Sequence, residues 1–199
     1  MAYRIFIVIL GLAALYACFE IVRFSTMNVK VKSVEADFLV RGPENADLVI
    51  VEFLDFRCTY CKQLNPPIED FLGIRPDVKY IARPYPVLGE TSQKLARIAI
   101  AAGLQGAYWE FHDAFLSNPN EINDQYIRET ANLYNVDYDR LIKDSEGDEV
   151  KAIVQDNIDD AESIGVYSTP SLFIGKVLIQ RFEKIPTVTD LVRLVEDIE

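Results

Sequence analysis

The spacing of apolar positions changes repeatedly along this chain, and each change predicts a different element. Residues 5–19 form an unbroken run of apolar, small and aromatic side chains between Arg4 and Glu20. After a polar stretch, residues 37–40 read as a short strand, and Gly42 and Pro43 open a turn. Residues 48–56 are a near-continuous apolar run rich in Val, Ile and Phe, the pattern of a central strand covered on both faces. A helix follows over 58–73, broken or kinked at Pro66 and Pro67, because neither imide can donate to the helical ladder. Residues 78–82 form the next strand, stopped by Arg83-Pro84-Tyr85-Pro86.

The rhythm then becomes helical. Segments at 92–105, 108–117, 124–134 and 138–143 lead to a clearer helix. In it Val150, Ile153, Val154, Ile158, Ala161 and Ile164 recur at three and four, and Gly165 terminates the run. Strand character returns at 171–174 and 177–180 around a tight Gly175-Lys176 turn. A final helix starts after Pro186, with Thr187 and Asp190 at capping-box spacing and Val188, Leu191, Val192, Val195 and Ile198 on its apolar face. The expectation is an α/β fold carrying an all-helical insertion at about residues 90–165.

The amino-terminal run divides the chain further. Residues 1–24 read as a signal anchor or signal peptide, near the lower limit of about 17 residues for a spanning helix. Leu15-Tyr16-Ala17-Cys18 also resembles a lipoprotein cleavage box, which would make Cys18 a lipidated terminus. Anchor, cleaved signal and lipoprotein all send the remainder across a membrane. Residues 25–35 are a linker, and 36–199 the globular unit. Charge leaves orientation nearly undecided, because Arg23, Lys30 and Lys32 lie on the far side of the run.

A length of 199 residues, half of them apolar, suits one full core. The net charge of −11 argues against nucleic acid and against adsorption to anionic lipid. With only Cys18, Cys58 and Cys61 there is no disulfide-rich scaffold and no four-thiolate zinc site, and His112 alone cannot complete a metal centre. No metal and no cofactor is expected beyond the cysteine pair.

A thiol reacts as its thiolate, and the first turn of a helix directs unpaired N–H groups at the sulfur. Cys58 stands at that position and Cys61 one turn on, near enough to close or release a small disulfide. Cys58 is the candidate nucleophile and Cys61 the resolving thiol. Arg57 and Lys62 place positive charge nearby. Glu52 lies inside the apolar strand, where desolvation should raise its pKa and let it exchange a proton with Cys61. Asp55 is expected to face solvent at the strand end. His112, Trp109, Tyr108, Phe111 and Phe115 are expected to pack or cap within the insertion.

Three stretches carry a resemblance. Residues 51–61, from Val51 through the Cys58-Thr59-Tyr60-Cys61 motif, with Pro66 following, resemble the active-site strand and helix of DsbA-type thioredoxin-like thiol-disulfide oxidoreductases. Residues 105–116, around Tyr108-Trp109-Glu110-Phe111-His112, are similar to that family's helical-insert signature. Residues 164–174, containing Ser168-Thr169-Pro170, resemble its cis-proline loop. Three motifs in the right order are more specific than a lone C-x-x-C.

The resemblance implies a thioredoxin-like fold over about residues 36–199, and it implies that Glu52 is a buried acid beneath the active site. It also implies a cis Pro170 facing the disulfide, with the backbone of Thr169 free to pair with an extended substrate. Thr59 and Tyr60 stand where strongly oxidising members carry proline and histidine, and Ser168 replaces a usual glycine. The implied activity is exchange of disulfides with cysteine-containing exported proteins in the bacterial periplasm. A membrane redox partner would reoxidise the pair, and the amino-terminal segment would tether the domain to the inner membrane. Disulfide reduction or isomerisation with the same residues is the alternative, and an anchored binding or assembly module with an inert disulfide is a third.

Overall fold

The computed structural model describes residues 36–198. The amino-terminal segment 1–24, the linker 25–35 and Cys18 lie outside the described residues. A central sheet forms from β1 (Val40–Arg41), β2 (Val49–Leu54), β3 (Lys79–Pro84), β4 (Ser171–Ile174) and β5 (Val177–Gln180). Its order is β1-β3-β2-β4-β5, with β2 and β3 parallel and the other neighbours antiparallel. The apolar run expected at 48–56 is therefore the middle strand, buried from Ile50 to Leu54.

Helix α1 (Thr59–Ile74) joins β2 to β3 and turns Cys61, Leu64, Asn65, Ile68 and Phe71 into the core. It runs through Pro66 and Pro67 without interruption, because this buried face outweighs the ladder bonds the two imides cannot make. Between β3 and β4 lie five helices: α2 (Glu90–Gly103), α3 (Tyr108–Ser117), α4 (Asp124–Leu133), α5 (Tyr138–Ser145) and α6 (Asp148–Ser163). Helix α2 is the centre of this block, packing on α3, α5 and α6, while α6 also reaches β3. There Arg83 of β3 meets Asp160 at 2.8 Å and Asn157 at 3.0 Å, a buried polar tie between sheet and helices. The last helix, α7 (Val188–Glu196), packs against α1, and both bonds of its Thr187–Asp190 capping box are present.

One expected element differs. Residues 37–40 were expected as a strand. Instead Asp37–Leu39 is a 3-10 turn, and pairing is confined to Val40 and Arg41, opposite Ile81 and Tyr80. Arg41 compensates for so short an edge: its guanidinium bonds Glu69 of α1 at 2.8 Å and Asp113 of α3 at 2.7 Å, and lies 4.0 Å over the ring of Trp109. No helix among the described residues is long and apolar enough to cross a membrane.

Candidate active site

Strand β2 ends at Leu54, and the chain turns through Asp55–Arg57 to place Cys58 as the N-cap of α1. The turn is closed by the Cys58 N–H donating to the Asp55 carbonyl at 2.9 Å. Asp55, expected at the solvent, is only 1 % exposed. Its Oδ1 accepts from the Arg57 N–H (2.8 Å) and the Ser92 hydroxyl (2.8 Å), and its Oδ2 from the N–H groups of Val87 (2.9 Å) and Leu88 (3.0 Å). One carboxyl thus ties the active-site turn to the β3–α2 connection and to the start of α2, and that supply of donors is what keeps it buried.

Both cysteines are free thiols, and they differ sharply. Cys58 keeps 8 % of its surface and Cys61 none. The Cys58 thiol is lowered from 9.0 to about 6, above all by the hydrogen bond from the Cys61 thiol. Burial opposes this, while the Thr169 side chain and the backbone N–H groups of Cys61 and Tyr60 favour the thiolate. When protonated, Cys58 donates to the Thr169 carbonyl at 3.3 Å. Burial pushes Cys61 well above the usual thiol range, aided by the neighbouring Cys58 and Glu52 and opposed by the Asp55 N–H. Arg57 and Lys62, expected to depress the thiol, are engaged elsewhere: Arg57 donates to the Leu88 carbonyl at 3.0 Å and Lys62 to the Asn118 carbonyl at 2.7 Å. Backbone and thiol hydrogen bonds replace their charge.

Glu52 sits beneath the pair, 1 % exposed. Burial raises its pKa from 4.5 to about 7; the Tyr80 hydroxyl, donating to Oε2 at 2.5 Å, counters that, and Cys58 and Glu69 add to it. Across the thiols, the Thr169–Pro170 peptide is cis. The loop before it is held by Ser171, whose hydroxyl donates to the Ser168 carbonyl (2.7 Å), and by Gln180 of β5. Gln180 donates to the Gly165 carbonyl at 3.1 Å and accepts from the Tyr167 N–H at 3.2 Å. Tyr60, more than half exposed, joins Ser168, Thr169, Pro170, Arg181 and Phe182 around a recess of ≈ 240 Å³. Thr59 opens α1 on the exposed side. The structure thus brings Cys58, Cys61, Glu52, Thr59, Tyr60, Thr169 and Pro170 into one region.

A family model described as DSBA-like thioredoxin domain matches residues 49–196. The chain belongs to the DSBA-like thioredoxin domain family. Among solved structures, a thioredoxin-like oxidoreductase from Silicibacter pomeroyi DSS-3 is 29 % identical with a TM-score of 0.73, over 81 % of this chain and 96 % of that one. The thiol-disulfide exchange protein alpha-DsbA2 from Wolbachia pipientis is 26 % identical with a TM-score of 0.71, over 89 % and 98 %. A Na(+)/H(+) antiporter NhaA 1 of Salinispora arenicola is 33 % identical over 139 residues, 68 % of this chain and 21 % of that protein. The chain spans about a fifth of the length of the curated relatives it matches. Family membership and these neighbours give the protein the thioredoxin-like α/β fold of DSBA-like domains.

Within this DSBA-like domain His112 is buried in the core. Burial lowers its pKa, opposed by Asp113, whose carboxyl lies 2.7 Å from Nδ1, and its ring meets Phe56, Tyr108 and Trp109. Among the described residues no group of three or more His, Cys, Asp and Glu is placed to hold a metal. Sequence reasoning missed Tyr80, Asp55 and Gln180. The first was legible in principle: in parallel strands with β2 beside β3, Tyr80 falls on the same face as Glu52.

Proposed function

We propose that the protein is an extracytoplasmic dithiol oxidase that exchanges disulfides with cysteine-containing exported proteins. The observation that carries the reading is the asymmetry of the thiols: a partly accessible Cys58 lowered to about 6 beside a fully buried Cys61 raised well above the usual range. Stabilising the thiolate stabilises the reduced form, and that makes the disulfide more oxidising. The Cys58 value lies between the thiol pKa values of about 7 and about 3.5 known for a strong reductant and a strong oxidant of this fold.

The substrate lies extended across the Thr169–Pro170 loop, pairing with the Thr169 backbone, and Tyr60 flanks it. Its thiolate attacks Sγ of Cys58 in the oxidised pair, and the electron pair of the broken S–S bond passes to Cys61. That buried sulfur cannot remain charged, so Glu52 delivers its proton to it. A second substrate thiolate then attacks the mixed disulfide at the substrate sulfur, releasing the substrate disulfide and the Cys58 thiolate. A membrane redox partner reoxidises the pair. The cysteine pair is the whole redox group, with no cofactor and no nucleic-acid partner. The apolar run at residues 5–19 supports export and tethering at the inner membrane, with residues 36–199 as the periplasmic domain.

The test is equilibration of the protein in glutathione buffers. A potential well above about −270 mV, toward −120 mV, supports oxidation. A potential at the thioredoxin end supports the reductase alternative, and failure to exchange supports an inert disulfide. Cys58→Ser abolishes exchange and Cys61→Ser accumulates mixed disulfides; retained activity in Cys58→Ser would sink the mechanism.

A further inference from the structure

The buried acid has an unusual companion. Ile50 registers beside Tyr80 and Glu52 beside Ala82, so Tyr80 and Glu52 share a face of the sheet two positions apart along the parallel strands. The phenol spans that offset and donates to Oε2 of Glu52, with both residues 1 % exposed. Trp109, 5.9 Å away ring to ring, packs on Tyr80. The second carboxyl oxygen, Oε1, is buried and has no hydrogen-bond partner among the described residues.

Among the described residues, the titratable groups that weigh most on Glu52 are neutral or anionic. From α1 these are Cys58, Cys61 and Glu69; from β3, Tyr80; from α3, Tyr108, whose hydroxyl is committed to the Ala82 carbonyl at 2.9 Å. The β4 residues paired across from this stretch, Leu172 and Phe173, carry no charge. Arg41 is engaged by Glu69 and Asp113. Burial and the charge of Glu52 raise the Tyr80 phenol well above its ordinary value, so it stays a donor throughout.

We propose that Tyr80 is a positioning residue for disulfide exchange: its hydroxyl pins Oε2 of Glu52, orienting Oε1 as the proton donor and acceptor for Cys61. The inference rests on the role given to Glu52 above. In the oxidising direction a substrate thiolate bonds to Cys58, the Cys58–Cys61 bond breaks, and the proton on Oε1 moves to the departing Cys61 sulfur. The carboxylate left behind is held by the Tyr80 hydrogen bond. During reoxidation by a disulfide-bearing partner, Cys58 carries the mixed disulfide. Cys61 returns its proton to Oε1 as its sulfur displaces the partner thiolate, closing the pair. A neutral donor, unlike a cation, stabilises the carboxylate only partly, which keeps proton release and uptake both accessible near neutrality.

The experiment loads Cys58 with glutathione and follows glutathione release by Cys61 from pH 5 to 9, in the full chain. The unaltered protein should show an inflection near 7, the Glu52 titration. Tyr80→Phe keeps the ring and removes the donor, so the inflection should rise by about one pH unit and the rate at pH 7 should fall about five- to tenfold, recovering by pH 9. Glu52→Gln should erase the inflection. Replacing Tyr80 by 3-fluorotyrosine, a stronger donor of the same shape, should move the inflection down, and it serves as the test should Tyr80→Phe fail to fold. If Glu52→Gln erases the inflection and neither Tyr80 change moves it, Tyr80 is only core packing. An inflection that survives Glu52→Gln overturns the proton-transfer role of Glu52 itself.

Discussion

Glu52 and Asp55 flank the end of β2, three residues apart and each 1 % exposed. Asp55 receives four hydrogen bonds, two on each oxygen, from the active-site turn, the β3–α2 connection and Ser92. Glu52 receives one, from Tyr80, and its other oxygen has no protein partner among the described residues. Equal burial therefore goes with a fully bonded carboxyl in one case and, in the other, with the under-bonded one proposed above as the proton carrier. What separates them is the supply of backbone donors: a turn and a loop surround Asp55 with free N–H groups, whereas the N–H groups around Glu52 are already committed to the ladders of a central strand.

The comparison can be broken most strongly at Asp55. Asp55→Ala strands four donors, two of them from the β3–α2 connection; a fully buried one costs about 1–3 kcal/mol, and the three part-buried N–H groups less because water reaches them. A total loss of roughly 3–5 kcal/mol in urea unfolding is expected, together with faster proteolysis around residues 86–90. A loss below about 1 kcal/mol would show that Asp55 is no anchor.

Glu52→Gln should do the reverse above neutrality. The folded carboxyl titrates near 7 against 4.5 when unfolded, so the stability contribution of its protonated form is complete below pH 4.5 and disappears as pH rises through 7. Glutamine carries no such penalty. Relative to the unaltered protein, Glu52→Gln should gain about 3 kcal/mol in stability between pH 4 and pH 9. A pH-independent difference between the two proteins would contradict the buried, raised carboxyl. Ser92→Ala is the mildest probe, removing one of the four donors to Asp55. It should cost about 1 kcal/mol and leave the pH dependence of Cys58 alkylation, centred near 6, unmoved.

The same contrast explains what could be read from the sequence. Glu52 was legible because it interrupts an apolar run of the kind that forms a strand covered on both faces, where a carboxyl is desolvated. Thr187 and Asp190 were legible because a capping box is a local pattern. Asp55 was misjudged because its partners Val87, Leu88 and Ser92 lie more than thirty residues on, in a loop whose apposition only the fold creates. Residues 37–40 were misjudged because the chain joins the edge only at Val40, coming out of the 3-10 turn Asp37–Leu39 although β3 runs on to Pro84, and nothing local marks that. Pro66 and Pro67 promised a break that the buried face of α1 overrides. Lys62 shows the limit of proximity in sequence: it lies one residue from Cys61, and its ammonium reaches away to Asn118.

Arg41 has a mechanical consequence. Two registered residue pairs are all that β1 contributes to the sheet, so a pull transmitted along the chain from its amino-terminal side is shared between the packing of Phe38 and Leu39 and the grip of this guanidinium on Glu69 and Asp113. Those ion pairs are partly open to water, and added salt weakens such contacts. The part of the domain's resistance to force that these pairs supply should therefore fall as ionic strength rises, while the part supplied by buried Leu39 should not.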